Sequence, residues 1–416
     1  MIQVLVWAAY ALTLYSVIYW LLIYLEDEGG EREVPKRKQP RTWPGLTVII
    51  PAYNEERSLE KTILSVKALD YPHKKLHIIV VDDGSKDRTR QIGEYWAKKE
   101  RNIHFITQHN QGKAAALNNA LQATKTPYFA CLDADSFVEA PSAKAMIESF
   151  SADKELEICT PVMLIDQPTK FIQKFQRLEY LAGMFLVRLM ASIDSNYVAP
   201  GPFSMYRTQT IKDLGGFDTD NLVEDQEIAY RVQERHKKIR QVPDARVHTI
   251  GPDTFKKLRR QRNRWMKGSL LNIIQYRHLM FNKEYGDFGS YMMPITLSAF
   301  GLAIIAILAF LYYTLVPIGR WIRDMYLVGF DIRPWLENWQ WNVNLLDPNY
   351  AQLYIIWLLL TGGVTVVYLS SRTYSKRIRE YGSLYILPYF FVYFLMLALV
   401  TVEVLIEVAW GKKQKW

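Results

Sequence analysis

Uncharged apolar stretches and alternating stretches occupy separate parts of this chain. From Met1 to Leu25 there is no charged side chain, and a helix of that length reaches past the ~30 Å hydrocarbon core of a bilayer. Three later blocks have the same character, roughly Ser290–Ile318, Ala351–Ser370 and Ser383–Trp410. Over residues 43–250 the pattern changes: short β-rich runs alternate with amphipathic stretches, which predicts an α/β fold with a mostly parallel sheet. Strands are expected at Leu46–Ile50, Leu76–Val81, Ile103–Thr107 and Tyr128–Leu132. Helices are expected at Arg57–Leu69, Asp87–Lys99 and Lys113–Ala123. The chain therefore divides into a membrane helix at 1–25, a charged linker at 26–42, the α/β domain at 43–250, surface-lying helices at 251–289, and a membrane region with about three spans at 290–416.

Charge placement orients these parts. Lys36, Arg37, Lys38 and Arg41 follow the first block, and Arg372, Lys376, Arg377 and Arg379 lie between the third and fourth. Basic loops stay in the cytoplasm, so the N-terminus is expected outside and the α/β domain inside, at the plasma membrane. The first block lacks the basic start and small-residue cleavage site of a secretory signal, and so is expected to be an anchor. Trp321, Trp335, Trp339 and Trp341 suit the outer membrane surface. Four spans, however, put the basic tail Lys412, Lys413 and Lys415 outside, against the rule, unless the last block bends at Pro388 or lies partly in the interface. Glu403 and Glu407 are expected to reach water near the end of that block. Two further stretches have the pattern of helices lying on a membrane surface. Phe171–Ile193 sets Phe171, Phe175, Leu178, Leu181, Phe185 and Leu189 against Lys170, Lys174, Arg177 and Arg188, and Lys256–Lys267 carries seven Lys or Arg.

Two cysteines in 416 residues, Cys131 and Cys159, exclude a disulfide scaffold or a thiolate metal cluster, and are expected reduced in the core. The net charge of +9 suits anionic lipid or an anionic ligand. No zinc-finger or helix-turn-helix pattern accompanies it, so a nucleic-acid partner is not expected.

The chemistry gathers at the strand ends, where α/β sheets bind ligands. Pro51-Ala-Tyr-Asn-Glu55 follows the first strand, Asp82-Asp83-Gly84-Ser85 the second, and Asp133-Ala134-Asp135 the 128–132 strand. Two carboxylates on one tight turn can share a hard divalent cation and leave positions for water and phosphate oxygens; alone, such a pair is also an ordinary solvated turn. Gly112 and Lys113 open a helix where amides and a cation can meet an anion, or simply start that helix. Asp225, at the start of a helix near Val223–Val232, is favoured there by the dipole alone. By itself, Trp265 would pass for a membrane-surface aromatic.

Taken together, PAYNE (51–55), VVDDGSKDRT (80–89), NQGKAAALN (110–118), LDADS (132–136), GPFSMYR (201–207), VEDQEIAYRV (223–232) and QRNRW (261–265) stand in an order that resembles glycosyltransferase family 2. These are inverting enzymes of the GT-A fold, and the likeness is to their membrane-embedded processive members, such as poly-N-acetylglucosamine, hyaluronan and cellulose-type synthases. The resemblance covers roughly 46–268 and implies an enzyme that builds a polysaccharide from a UDP-sugar with Mg²⁺ or Mn²⁺. It places Tyr53, Glu55 and Asp83 on the uracil and ribose, with Lys113 and Asn118 in the same pocket. It gives Asp133 and Asp135 to the diphosphate and metal, Asp135 being the firmer ligand. Asp225, beside Glu224, becomes the general base. Gln261, Arg264 and Trp265 line the acceptor end, with Arg264 near the diphosphate. The partners implied are the donor, a growing glycan or lipid-linked acceptor, and membrane lipid. Single-sugar transfer to a polyprenyl phosphate or glycolipid stays open. A transporter, or a non-catalytic nucleotide-binding subunit, leaves the three acidic strand ends without a use.

Overall fold

The computed structural model describes residues 2–29, 37–330, 350–374 and 385–412. Trp335, Trp339 and Trp341, and the basic residues Lys36, Lys376, Arg377, Arg379, Lys413 and Lys415, lie outside those ranges. Helix α1 is Ile2–Gly29. The domain that follows is built on strands β1 (Leu46–Ala52), β2 (Leu76–Asp82), β3 (Ile103–Thr107), β4 (Tyr128–Cys131), β5 (Ser136–Val138), β6 (Leu156–Ile165), β7 (Met205–Arg207) and β8 (Lys238–Thr249). Among them run α2 (Leu59–Lys67), α3 (Thr89–Lys99), α4 (Lys113–Ala123), α5 (Ser142–Ala152), α6 (Phe171–Ser192), α7 (Thr208–Asp213) and α8 (Glu224–Glu234).

The strands form one sheet in the order β3-β2-β1-β4-β7-β6-β8-β5. Its first four members are mutually parallel, and β6 is parallel to β8. Strand β7 joins the two groups antiparallel to both neighbours, and β5 closes the far edge antiparallel to β8. This is the GT-A-like α/β sheet expected, more mixed than the mostly parallel one the pattern predicted. The alternation of β1 shows why it is two-sided. Val48 and Ile50 point to a core shared with α2, α5 and α6, while Ile49 points to a second core with Leu117, Phe129 and Ile228. Cys131 and Cys159 are both buried and unpaired.

Helix α6 departs from expectation. Phe175, Leu178, Leu181, Phe185 and Leu189 are buried in the main core, with Phe171 alone of the set exposed. Its apolar stripe is therefore covered by protein, because the helix lies between the sheet and the apolar helices. On its outer side Tyr24 meets Phe185 at 5.6 Å between ring centres, and Arg188 pairs with Asp27 at 2.7 Å. Tyr374 donates to the Met184 carbonyl at 2.8 Å.

Helix α9 (Phe255–Gln275) carries the basic stretch, and α10 (Met293–Leu327) continues from a π-turn at Phe288–Met292. Beyond them are a helix at Tyr350–Thr373 and a last one at Phe394–Ala409, the latter entered through a π-turn at Tyr389–Tyr393 just after Pro388. Among the described residues, Ile2–Glu28, Phe288–Leu327 and Tyr389–Ala409 are long and apolar enough to cross a membrane. Glu403 and Glu407 do not simply reach water. Arg259 of α9 donates two hydrogen bonds to Glu403, and Lys267, itself buried, donates to Glu407 at 3.3 Å. The basic stripe of α9 thus docks on acids of the last helix.

Candidate active site

Four segments converge at the carboxyl end of the parallel strands: the loop after β4, the start of α4, the loop before β7, and the start of α8. Asp133 and Asp135 sit in the tight turn between β4 and β5, closed by the Ser136 N–H donating to the Asp133 carbonyl at 3.0 Å. Lys113, the first residue of α4, reaches Asp133 Oδ1 at 2.6 Å and Glu224 Oε1 at 3.0 Å. Asp225 follows on α8. One of its oxygens accepts from the Gly201 N–H at 3.2 Å and the other from the Gln226 N–H at 2.8 Å. Gly201 has no room for a side chain: a Cβ there would lie 2.5 Å from Lys113 Nζ and 3.1 Å from Asp133 Oδ2. The GPFSMYR motif carried this residue in the sequence, but no role could be attached to it there.

Carboxylates outnumber cations in this cluster, and their protonation shows it. Burial pushes the Asp135 carboxyl up to about 7, with Asp133 and Glu55 adding to the effect. Burial and the neighbouring Glu224 push Asp225 up to about 6, while Lys113 and Arg264 pull the other way. For Glu224 burial also acts upward, but Lys113 and Arg264 prevail and hold it below its ordinary value. Burial disfavours the Lys113 charge, yet Asp133, Glu224 and Asp225 outweigh it and keep the ammonium firmly protonated. The donor set fits a hard divalent cation. The Ser136 hydroxyl donates to Asp135 Oδ1 at 3.2 Å, and the second carboxylate oxygen adds further acceptor capacity. Among the described residues no group of three or more His, Cys, Asp or Glu is placed to hold a metal ion by itself.

Two cavities meet at Asp225 and Trp265. The smaller, about 170 Å³, is lined by Lys113, Asp133, Asp135, Glu224, Gln261 and Arg264. The larger, about 400 Å³, is lined largely by apolar groups, including Met163, Met184, Met266 and Phe300, and runs to α10 and Thr401 of the last helix. The Arg262 guanidinium lies 4.2 Å from the Trp265 ring centre and pairs with Glu179. Neither Arg262 nor Glu179 stood out in the sequence, since each reads there as one more charge on a basic amphipathic helix. A third depression, about 650 Å³, lies between Gln122–Tyr128 and Arg207–Lys212 and includes none of the expected site residues.

The expected nucleotide residues are placed less uniformly. Tyr53 is exposed at the end of β1. Glu55 accepts from Ser58 Oγ at 2.6 Å, and its backbone N–H donates to Thr89 Oγ1 at 2.7 Å. Asp83 is buried, accepting from Gln108 Nε2 and from the N–H groups of Gln111 and Gly112, each at 2.9 Å. It ties the entry of α4 to β2. Asn118 lines neither cavity at Asp225. Its amide donates to the Phe217 carbonyl and accepts from the Phe217 N–H, both at 2.7 Å. Both polar ends are engaged in fixing a loop that a helix position alone does not reveal.

Residues 47–215 match the sequence model of Glycosyl transferase family 2, and the resemblance read from the seven motifs is borne out over that stretch. Its curated relatives include a poly-β-1,6-N-acetyl-D-glucosamine synthase of Staphylococcus epidermidis, 28% identical over 263 residues, covering 61% of this chain and 63% of the relative. A synthase of the same name from Staphylococcus aureus is 31% identical over 227 residues, covering 54% of each. The matches thus span less than two thirds of these relatives. A mannosyltransferase from Pyrobaculum calidifontis, solved with GDP-Man and Mn²⁺, has a similar fold, with a TM-score of 0.61 at 17% identity, covering 99% of this chain and all of the other.

Proposed function

We propose that this protein is an inverting, metal-dependent membrane glycosyltransferase that polymerises a sugar from a UDP-sugar. The observation that carries this reading is Asp225, a carboxylate standing where the acidic cavity and the apolar one meet. A donor bound in the first cavity and an acceptor entering by the second would bring their reacting atoms to the same carboxylate.

Asp225 acts as general base, taking the acceptor hydroxyl proton as that oxygen attacks the sugar C1 and the C1–O bond to UDP breaks. Such assistance is typically worth ~10²–10⁴ in rate. The Gly201 N–H fixes the rotamer of Asp225. Lys113 holds Glu224 ionised beside it, so the two acids divide into a permanent charge and a proton acceptor. Asp133 and Asp135 would hold Mg²⁺ or Mn²⁺, which supplies positive charge to offset that of the departing diphosphate. Arg264 adds charge from the other wall. Tyr53 offers an exposed ring to the base, with Glu55 and Asp83 behind it; Asp83 already has three donors and would add at most one more. Gln261 and Trp265 receive the acceptor.

The synthase name of the curated relatives favours a polymer and puts UDP-N-acetylglucosamine first among donors to try. One observation favours the second reading, single transfer to a polyprenyl phosphate or glycolipid: the larger cavity is lined mostly by apolar groups, which match a hydrocarbon tail better than a glycan. Purified protein given Mg²⁺ or Mn²⁺ and each common UDP-sugar, with GDP-mannose for comparison, tests both. UDP release with a product ladder supports polymerisation, release with one addition to lipid supports the second reading, and release from GDP-mannose alone overturns the donor assignment.

A further inference from the structure

We infer that the last apolar helix, Tyr389–Ala409, does not cross the membrane but lies in its surface beneath the glycosyltransferase domain, leaving the basic tail on that domain's side. Composition alone permits crossing: the segment has 21 residues, about 31 Å of helix, which equals the hydrocarbon thickness. A crossing helix of that length must have one end about 30 Å from the surface on which the domain sits. Here both ends touch the domain. At the N-terminal end Lys174 of α6 donates to the Tyr385 hydroxyl at 3.0 Å, and Tyr393 donates to Glu179 at 2.7 Å. At the C-terminal end α9 supplies Arg259 to Glu403 and Lys267 to Glu407. Lys267 also donates to the Lys412 carbonyl at 2.7 Å, just past the helix.

The other three apolar helices behave differently. Each touches the domain, or its immediate flank, near one end: α1 through Asp27 on Arg188, α10 through Thr296 and Phe300 in its first turns, which line a cavity with Tyr197 and Pro200, and the 350–373 helix through Tyr374 on Met184. Three crossings, by α1, α10 and the helix Tyr350–Thr373, whose 24 residues are long enough to span the hydrocarbon core, bring the chain back to the domain's side before Tyr385. A surface-lying last helix then keeps Lys412 on the domain's side, and the conflict with the charge rule disappears. The helix has the two faces this requires. Tyr393, Val400 and Val404 are buried on one side, while Val392, Leu399 and Ile406, spaced seven apart, form an exposed apolar stripe. That stripe fits acyl chains just below the headgroups.

This inference rests on the membrane reading and not on sugar transfer, so it is tested without an activity assay. Cys131 and Cys159 are buried, so single cysteines can be added against a low background. In sealed vesicles of known orientation, an impermeant thiol reagent should reach a cysteine appended after Trp416 from the same side as Lys98→Cys on α3, and from the side opposite to Val328→Cys. A nitroxide on Leu399→Cys should lie at a depth of roughly 5–10 Å, by its contrasting collision rates with oxygen and a nickel chelate. A tail that labels with Val328→Cys overturns the inference. So does a Leu399 probe at the bilayer midplane, which would mark a crossing or a re-entrant hairpin.

Discussion

Along the β1–β2 edge of the sheet carboxylates are met by donors, whereas on the β4–α8 edge they crowd one another. Asp83 receives two backbone N–H groups and an amide, and Asn118 exchanges two hydrogen bonds with one residue. These are fixed points that hold loops. On the other edge Asp133, Asp135, Glu224 and Asp225 stand close together, with Lys113 paired to Asp133 and Glu224, and burial and mutual repulsion raise Asp135 and Asp225. Satisfied polar groups stiffen a scaffold; under-satisfied ones keep a reserve of charge for a ligand to neutralise. The first edge is built for shape and the second for chemistry.

The strongest challenge to this division is Asp225→Asn. The side chain keeps its size and can still accept from one of its two backbone N–H groups but takes no proton, so transfer should fall by ~10²–10⁴ while calorimetry shows UDP binding intact. Turnover within about tenfold of the parent would move the chemistry elsewhere. Next in size is Asp135→Ala. Affinity for UDP should rise with Mn²⁺ in the parent and not in the variant, because the diphosphate loses its cation bridge; equal metal dependence in both would empty the site.

The scaffold side makes the opposite demand. Asn118→Ala should lower stability by roughly 2 kcal/mol, since it leaves both polar groups of the Phe217 backbone unpartnered, and leave the KM for donor unchanged. A raised KM with an unchanged Tm would return Asn118 to the donor pocket. The smallest effect is in pH. Because its carboxyl is raised to about 6, Asp225 holds a proton below that pH and cannot accept another. The kcat/KM should therefore be full above about 6 and fall roughly tenfold per unit below it. An acid limb near 4, the ordinary carboxylate range, would show that Asp225 is not the titrating base.

What the sequence disclosed follows the range over which each signal acts. The parallel half of the sheet was legible because alternation and strand-end acids are local, and α4 runs over Lys113–Ala123 as its pattern indicated. The antiparallel closure by β7, only three residues long, carries too little pattern to read. The Asn118 clamp was hidden because its partner is 99 positions away, and the side chain is polar like any exposed helix position. Helix α6 misled in a different way: a stripe that fits lipid also fits a protein core, and only the neighbours decide which it meets. Glu403 and Glu407 failed for the same reason, since an acid near a helix end pairs with whatever cation the fold brings.

The contact between Asp27 and Arg188 also sets an order of events. The two residues are 161 positions apart, so at roughly 5–20 residues per second of synthesis α1 waits on the order of ten to thirty seconds for its partner. During that time the helix must stand in the bilayer unaided, which its uncharged length allows. The α/β domain is then completed against a wall already in place, with Tyr24 waiting where Phe185 arrives. A shortened chain lacking α1 would reach that stage with the outer side of α6 uncovered, and should be found in aggregates unless detergent takes the missing helix's place.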